Sequence, residues 1–252
     1  MKLKSARGSL HARRQDVRGA AAAHAGAPRP AGASAHARAV PGPQGRRGGS
    51  ARKAEARNLA EVRALAEHCR DCPLWKNATQ TVFGAGLASA RIVLVGEQPG
   101  DREDLEGLPF VGPAGRLLDR ALEQAGIDRE MAYVTNAVKH FKFEPRGKRR
   151  IHKKPNEMEI TACHQWLEHE LRLIRPRLIV ALGTTAARAI FGRPTAIKSN
   201  RGRVIAARGM EAAQADILVT VHPSYLLRVP HADKAAAYER FVQDLSLARD
   251  YA

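Results

Sequence analysis

Four short apolar runs recur along the chain, over residues 91–96 (RIVLVG), 132–138 (AYVTNAV), 178–183 (LIVALG) and 217–221 (ILVTV). Each is rich in β-branched side chains and apolar on both faces, the pattern of strands buried from two sides. Helical periodicity fills the intervals. Residues 113–125 begin with Pro113 at the first helical position and stop at Gly126, and helices over 157–173, 184–191 and about 232–249 follow. Upstream, Leu59, Val62, Leu65 and Ala66 mark an amphipathic helix that runs into Cys69. Strands alternating with helices predict an α/β fold: a three-layer αβα sandwich around a central, mainly parallel four-stranded sheet.

The pattern has no counterpart in residues 1–56. That stretch is rich in Ala, Arg, Gly and Pro, holds few large apolar side chains, and is read as a disordered basic tail before a domain over 57–252. An Arg-rich, acid-poor start also suits an organelle transit peptide, but the Gly/Pro breaks interrupt any amphipathic helix. Of the net charge of +17, residues 1–58 carry +11 and the other 194 residues +6. Such a balance favours polyanionic partners, most simply nucleic acid. No apolar run approaches the roughly 18 residues of a membrane span. A soluble cytoplasmic protein, nucleoid-associated in a bacterium, is therefore expected, and as no exposed heptad offers a dimer seam, a monomer.

Chemistry-bearing residues follow the strands: Glu97-Gln98-Pro99-Gly100-Asp101, Asn136 with His140, Thr184-Thr185, and His222-Pro223-Ser224. In open α/β sheets ligands bind at the C-terminal ends of the strands. Several such ends converging on one edge predict an active site. The three cysteines, Cys69, Cys72 and Cys163, form one CxxC pair plus a third. An odd number in a chain of this length argues against a disulfide framework and for a metal or cluster site with one non-cysteine ligand. Spacing alone leaves zinc and iron–sulfur both open.

The segment GEQPGDREDLEGLPFVGPAGRLLDRAL (96–122) resembles the first motif of the iron–sulfur uracil-DNA glycosylases, and HPSYLLR (222–228) resembles their second. Between them KRRIHKKP (148–155) resembles the inserted loop of the type X enzymes, UdgX. The resemblance runs over roughly residues 59–250. It implies a [4Fe–4S] cluster on Cys69, Cys72, Cys163 and His140, the last standing where cysteine-only relatives have a fourth Cys, with His164 the rival ligand. It also implies that the substrate is uracil-containing DNA, offered as a single strand or with the base flipped out.

Base excision gives the remaining residues roles. Phe110 supplies a stacking platform or, as its residue type equally suggests, a core side chain. Asn136 offers an acceptor and a donor matching uracil N3–H and O4, and His222 stabilises charge developing on O2. Gln98 and Ser224 complete the base and sugar contacts. Tyr225, Leu226 and Leu227 suit wedging into DNA, and Arg228 and Arg150 suit phosphate. Glu97 or Asp101 stabilises the cationic sugar or orients a nucleophile. In the basic 142–154 stretch His152 stands apart, because a neutral imidazole is a competent nucleophile near pH 7. Attack on C1′ by His152 joins DNA to protein with no easy leaving group, which is the activity the type X resemblance implies. The alternatives are a turning-over glycosylase that releases uracil, and a non-catalytic single-strand binder.

Overall fold

The computed structural model describes residues 56–206 and 215–252, so the tail expected over 1–56 lies outside the described residues except for Ala56. In chain order the strands are β1 (Ala85–Gly86), β2 (Ile92–Gly96), β3 (Tyr133–Asn136), β4 (Phe143–Arg146), β5 (Arg149–His152), β6 (Leu178–Leu182), β7 (Val204–Ile205) and β8 (Asp216–Thr220). Six of them form one sheet in the order β1-β3-β2-β6-β8-β7. The inner four are parallel and are the four expected from sequence, while β1 and β7 pair antiparallel at the edges. At two residues each, the edge strands are too short for a period-2 pattern to register.

Every residue of β2, β3 and β6 is buried because helices cover both faces. Alternation sorts the side chains. Val93, Val95, Ile179 and Val219 face one core with α1 (Leu59–Glu67), with α4, a helix over Glu157–Ile174, and with α5 (Thr184–Phe191). Ile92, Leu94, Val180 and Leu218 face a second core with α3 (Pro113–Gln124) and α8 (His231–Ser246). The remaining helices are single turns or little more: α2 (Asp101–Glu106), α6 (Ile197–Asn200) and α7 (Pro223–Leu226). Each fully buried Leu or Ile in these layers contributes about 1.5–3 kcal/mol. This is the expected αβα sandwich.

Helix α4 starts where its sequence says it should. Asn156 accepts from the Glu159 N–H and the Glu159 carboxylate accepts from the Asn156 N–H, a reciprocal capping box. Its buried face carries Cys163, Trp166 and Glu170. Glu170 meets Lys139 at 2.6 Å, both essentially inaccessible to solvent. The pair is surrounded by donors and acceptors: Tyr133 and Thr135 donate to Glu170, and Lys139 Nζ donates to Thr135 Oγ1 and to the Asn136 carbonyl. A buried charge pair is tolerable only when satisfied in this way.

The basic 142–154 stretch is built around a hairpin of β4 and β5 joined by Gly147 and Lys148. Gly147 takes φ 57°, the positive value that the first residue of a two-residue hairpin loop often requires. Strand-like alternation was hidden by charge: Glu144, Arg146, Arg149 and Arg150 take half of the eight strand positions.

Candidate active site

In sheet order β3 lies on one side of β2 and β6 on the other, so the winding reverses beside β2. A crevice opens at such a switch point. Here it is a cavity of about 740 Å³. Glu97, Gln98, Phe110, Asn136, His152, His222, Ser224, Tyr225 and Arg228 line it, which brings together most of the residues singled out from sequence.

Its floor depends on two glycines. A Cβ on Gly96 would overlap Asn136 Oδ1 and the Phe110 ring, and one on Gly115 would overlap the Phe110 carbonyl. Phe110 itself takes φ 61°, a strained value for an aromatic residue. It is held there because Gly115 lets its backbone close on α3 and because the nearby Gly112 N–H donates to the Glu103 carboxylate at 2.8 Å. The ring belongs to the second core and also lines the cavity. Glu103, which sequence reasoning missed, sits between the loops after β2 and before α3.

His222 follows β8. The Ser224 N–H donates to its Nδ1 at 3.2 Å, which leaves the ring proton on Nε2, the nitrogen free to donate to a ligand oxygen. Burial, with the His152 and Arg228 charges adding, lowers its pKa to about 4. The ring is therefore a neutral donor at physiological pH. It lies 6.0 Å from the Phe110 ring, centroid to centroid.

The hairpin delivers His152 to the cavity lining. Gln98 Oε1 accepts the Lys142 N–H at 3.1 Å, which fixes the amide orientation. Its nitrogen then faces the Lys142 and Lys153 carbonyls, at 3.2 and 3.1 Å, and His152 Nε2 at 2.9 Å. His152 Nε2 is thus the acceptor and the ring proton lies on Nδ1. Burial lowers the His152 pKa, Arg228 adds to the effect and Glu97 opposes it. The Glu97 carboxylate stands 3.6 Å from the same nitrogen, and its other oxygen accepts from Thr185 Oγ1.

Three expected site residues stand elsewhere. Arg150 is engaged by Asp101 at 2.6 Å and Asp104 at 2.5 Å, with its guanidinium over the Phe141 and Phe143 rings. Paired with two carboxylates it latches the hairpin to α2, Asp101 is part of that latch, and neither Arg150 nor Asp101 lines the cavity. Leu226 is 1% exposed and packs in the second core, so it cannot wedge into DNA, whereas Tyr225 and Leu227 are exposed. In HPSYLLR the one-turn helix α7 turns Leu226 inward, which linear order does not reveal. Lys154, Thr184 and Ile197 also line the cavity. The first two follow β5 and β6, a position that signals a site residue.

The cysteines lie outside the cavity lining. Cys69 lies just past α1 and Cys163 on α4. All three thiols lie within electrostatic reach of one another. The Trp166 indole donates to Cys69 Sγ at 3.3 Å and the Lys139 N–H to Cys163 Sγ at 3.2 Å. Burial pushes the Cys163 thiol up to about 12 while the Lys139 charge opposes it. Such N–H donors aimed at sulfur suit ligating thiolates. His140 Nε2 meets Thr81 Oγ1 at 2.9 Å, and burial lowers its pKa to about 4. One residue along α4 turns His164 about 100° from Cys163. Among the described residues no three His, Cys, Asp or Glu side chains converge closely enough to hold a single metal ion.

Residues 83–246 match the family profile described as the uracil DNA glycosylase superfamily. The type-4 uracil-DNA glycosylase of Thermotoga maritima is 42% identical over 161 residues, which cover 64% of this chain and 78% of that one. The type-4 enzyme of Sulfurisphaera tokodaii is 34% identical over 184 residues, covering 70% and 79%. A type-5 uracil-DNA glycosylase of Pyrobaculum aerophilum is 30% identical over 189 residues, covering 67% and 76%.

Proposed function

The chain belongs to the uracil-DNA glycosylase superfamily, and from that premise we propose that it excises uracil from DNA and captures the freed sugar on His152, as type X enzymes are read to do. The observation that carries the capture step is a neutral imidazole with an unprotonated Nε2 that lines the cavity with His222 and stands 3.6 Å from the Glu97 carboxylate.

A flipped uracil stacks on Phe110, and the Asn136 amide pairs with its N3–H and O4. The C1′–N1 bond breaks with its electron pair passing to uracil, where His222 Nε2–H stabilises the charge on O2. The sugar is left cationic. His152 Nε2 gives its lone pair to C1′, and the new N–C bond moves the positive charge onto the ring. The Glu97 carboxylate stabilises that charge first on the sugar and then on the imidazolium. Uracil takes up a proton from solvent. An alkylated imidazole is a poor leaving group, so turnover stops.

The same reading assigns Cys69, Cys72, Cys163 and His140 as the residues that would hold a [4Fe–4S] cluster. Such a cluster would supply no base chemistry and would tie α1 and α4 to the sheet. The substrate DNA is single-stranded or has its base flipped out, and the protein acts as a monomer. Among the described residues no helix is long and apolar enough to cross a membrane.

The relatives named type-4 uracil-DNA glycosylases support a second reading, in which uracil is released to leave an abasic site. Incubation with a uracil oligonucleotide followed by a denaturing gel tests both. A shifted protein–DNA band supports capture. An alkali-cleavable product without a shift supports release, and an unchanged oligonucleotide overturns both.

A further inference from the structure

We infer that Thr185, in the first turn of α5, is a positioning residue for Glu97. The inference rests on the proposed pairing of Glu97 with His152 and goes beyond it. Strand β6 ends at Leu182, and Gly183 turns at φ 91° into α5, which sets Thr185 beneath the cavity rather than on its wall. Its side chain is 2% exposed, and a hydroxyl buried to that degree needs a partner. Glu97 Oε2 is that partner, while Glu97 Oε1 stands 3.6 Å from His152 Nε2.

The division of the two oxygens matters because the terminal torsion of a glutamate is soft. Left alone, the carboxylate plane rotates broadly and presents either edge. One oxygen tied to a fixed helix removes that freedom and aims the other at the imidazole. Thr184, one residue earlier, lines the cavity, with its Oγ1 at 3.5 Å from Lys154 Nζ, so the two threonines have separate tasks. Thr185 touches neither the base nor the sugar, and acts only through Glu97.

The test is single-turnover kinetics and uracil-oligonucleotide affinity for Thr185→Val, Thr185→Ser, Glu97→Ala and the Thr185→Val/Glu97→Ala pair in the full chain. Valine keeps the shape and loses the donor. We expect Thr185→Val to slow adduct formation or uracil release about tenfold or more, the scale of a hydrogen bond to a charged group. Affinity should stay within about twofold, and Thr185→Ser should recover most of the rate. In the Glu97→Ala background Thr185→Val should cost nothing further, because a residue acting through Glu97 has nothing left to position. Full additivity in the pair, or an undiminished rate in Thr185→Val, overturns the inference. A Glu97→Ala protein with full rate overturns instead the reading on which it rests. If Thr185→Val is recovered unfolded, Thr185→Ser and Thr185→Ala carry the same comparison.

Discussion

Gln98 and His152 meet nitrogen to nitrogen at 2.9 Å, and the amide can release the imidazole without leaving a buried N–H unsatisfied. Its two hydrogens have three acceptors, because the Lys142 and Lys153 carbonyls lie at 3.2 and 3.1 Å. The peptide groups at the hairpin base are held more firmly, since Gln98 Oε1 also takes the Lys142 N–H.

Gln98→Ala should therefore loosen the hairpin more than it loosens the sheet. Amide exchange in residues 143–152 should quicken while β2 and β6 stay protected, and adduct formation should slow more than uracil binding weakens. Unchanged exchange in the hairpin would show that the Arg150 latch alone holds it.

His152→Ser should abolish the denaturant-resistant adduct. A serine hydroxyl is shorter and poorly nucleophilic without a base. The space it opens beside C1′ admits water, so the variant should release uracil and leave an abasic site. His222→Ala should slow both outcomes, because it acts on the leaving group. An adduct undiminished in His152→Ser sinks the nucleophile assignment.

The depressed histidine pKa values set two pH dependences. With the His152 pKa lowered by burial, the adduct rate should begin to fall at a lower pH than an unperturbed imidazole would give. Stability follows His222, which takes up a proton near 6.5 when unfolded and near 4 when folded. Between those values the unfolded chain binds more protons, so stability falls as pH drops through the window, by on the order of a few kcal/mol. Urea midpoints at pH 7.5 and 4.5 should differ less for His222→Gln than for the parent. Equal losses would mean that His222 is not buried neutral.

The proposed cluster predicts a brown protein with broad visible absorption. Cys163→Ser should lose iron and melt at a lower temperature. Zinc at about one per chain without iron in the parent would replace the cluster assignment with a structural zinc and leave the base chemistry untouched.

The two neighbouring side chains of α7 should separate cleanly. Leu226→Ala empties a buried site and should cost about 2–5 kcal/mol of stability. Tyr225→Ala, on an exposed side chain, should leave stability within about 0.5 kcal/mol and weaken binding to uracil in duplex DNA. The reverse ranking in denaturant titrations would contradict the burial pattern.

Much of this was legible in the chain. The core strands and long helices fell within a few residues of their expected bounds, because fully buried segments carry uninterrupted apolar runs. Strand-end position found Glu97, Asn136 and His222, since topology carries every strand end to one edge. The hairpin was obscured, as its charged side chains mask alternation. The carboxylate partners of Arg150 and the inward turn of Leu226 were hidden for a different reason. Whether an arginine meets phosphate or carboxylate, and which of three adjacent side chains turns inward, depends on neighbours distant in sequence: Asp101 and Asp104 for the first, the second core for the last.

The hairpin also offers a place to attach something. Its anchors are Gln98 at the base and Arg150 midway, whereas the turn is exposed and a Cβ on Gly147 would meet nothing within 4 Å. A dye carried on a cysteine replacing Lys148 would ride the same rigid arm as His152 without entering the cavity. Its emission would then report in real time when DNA occupies the site.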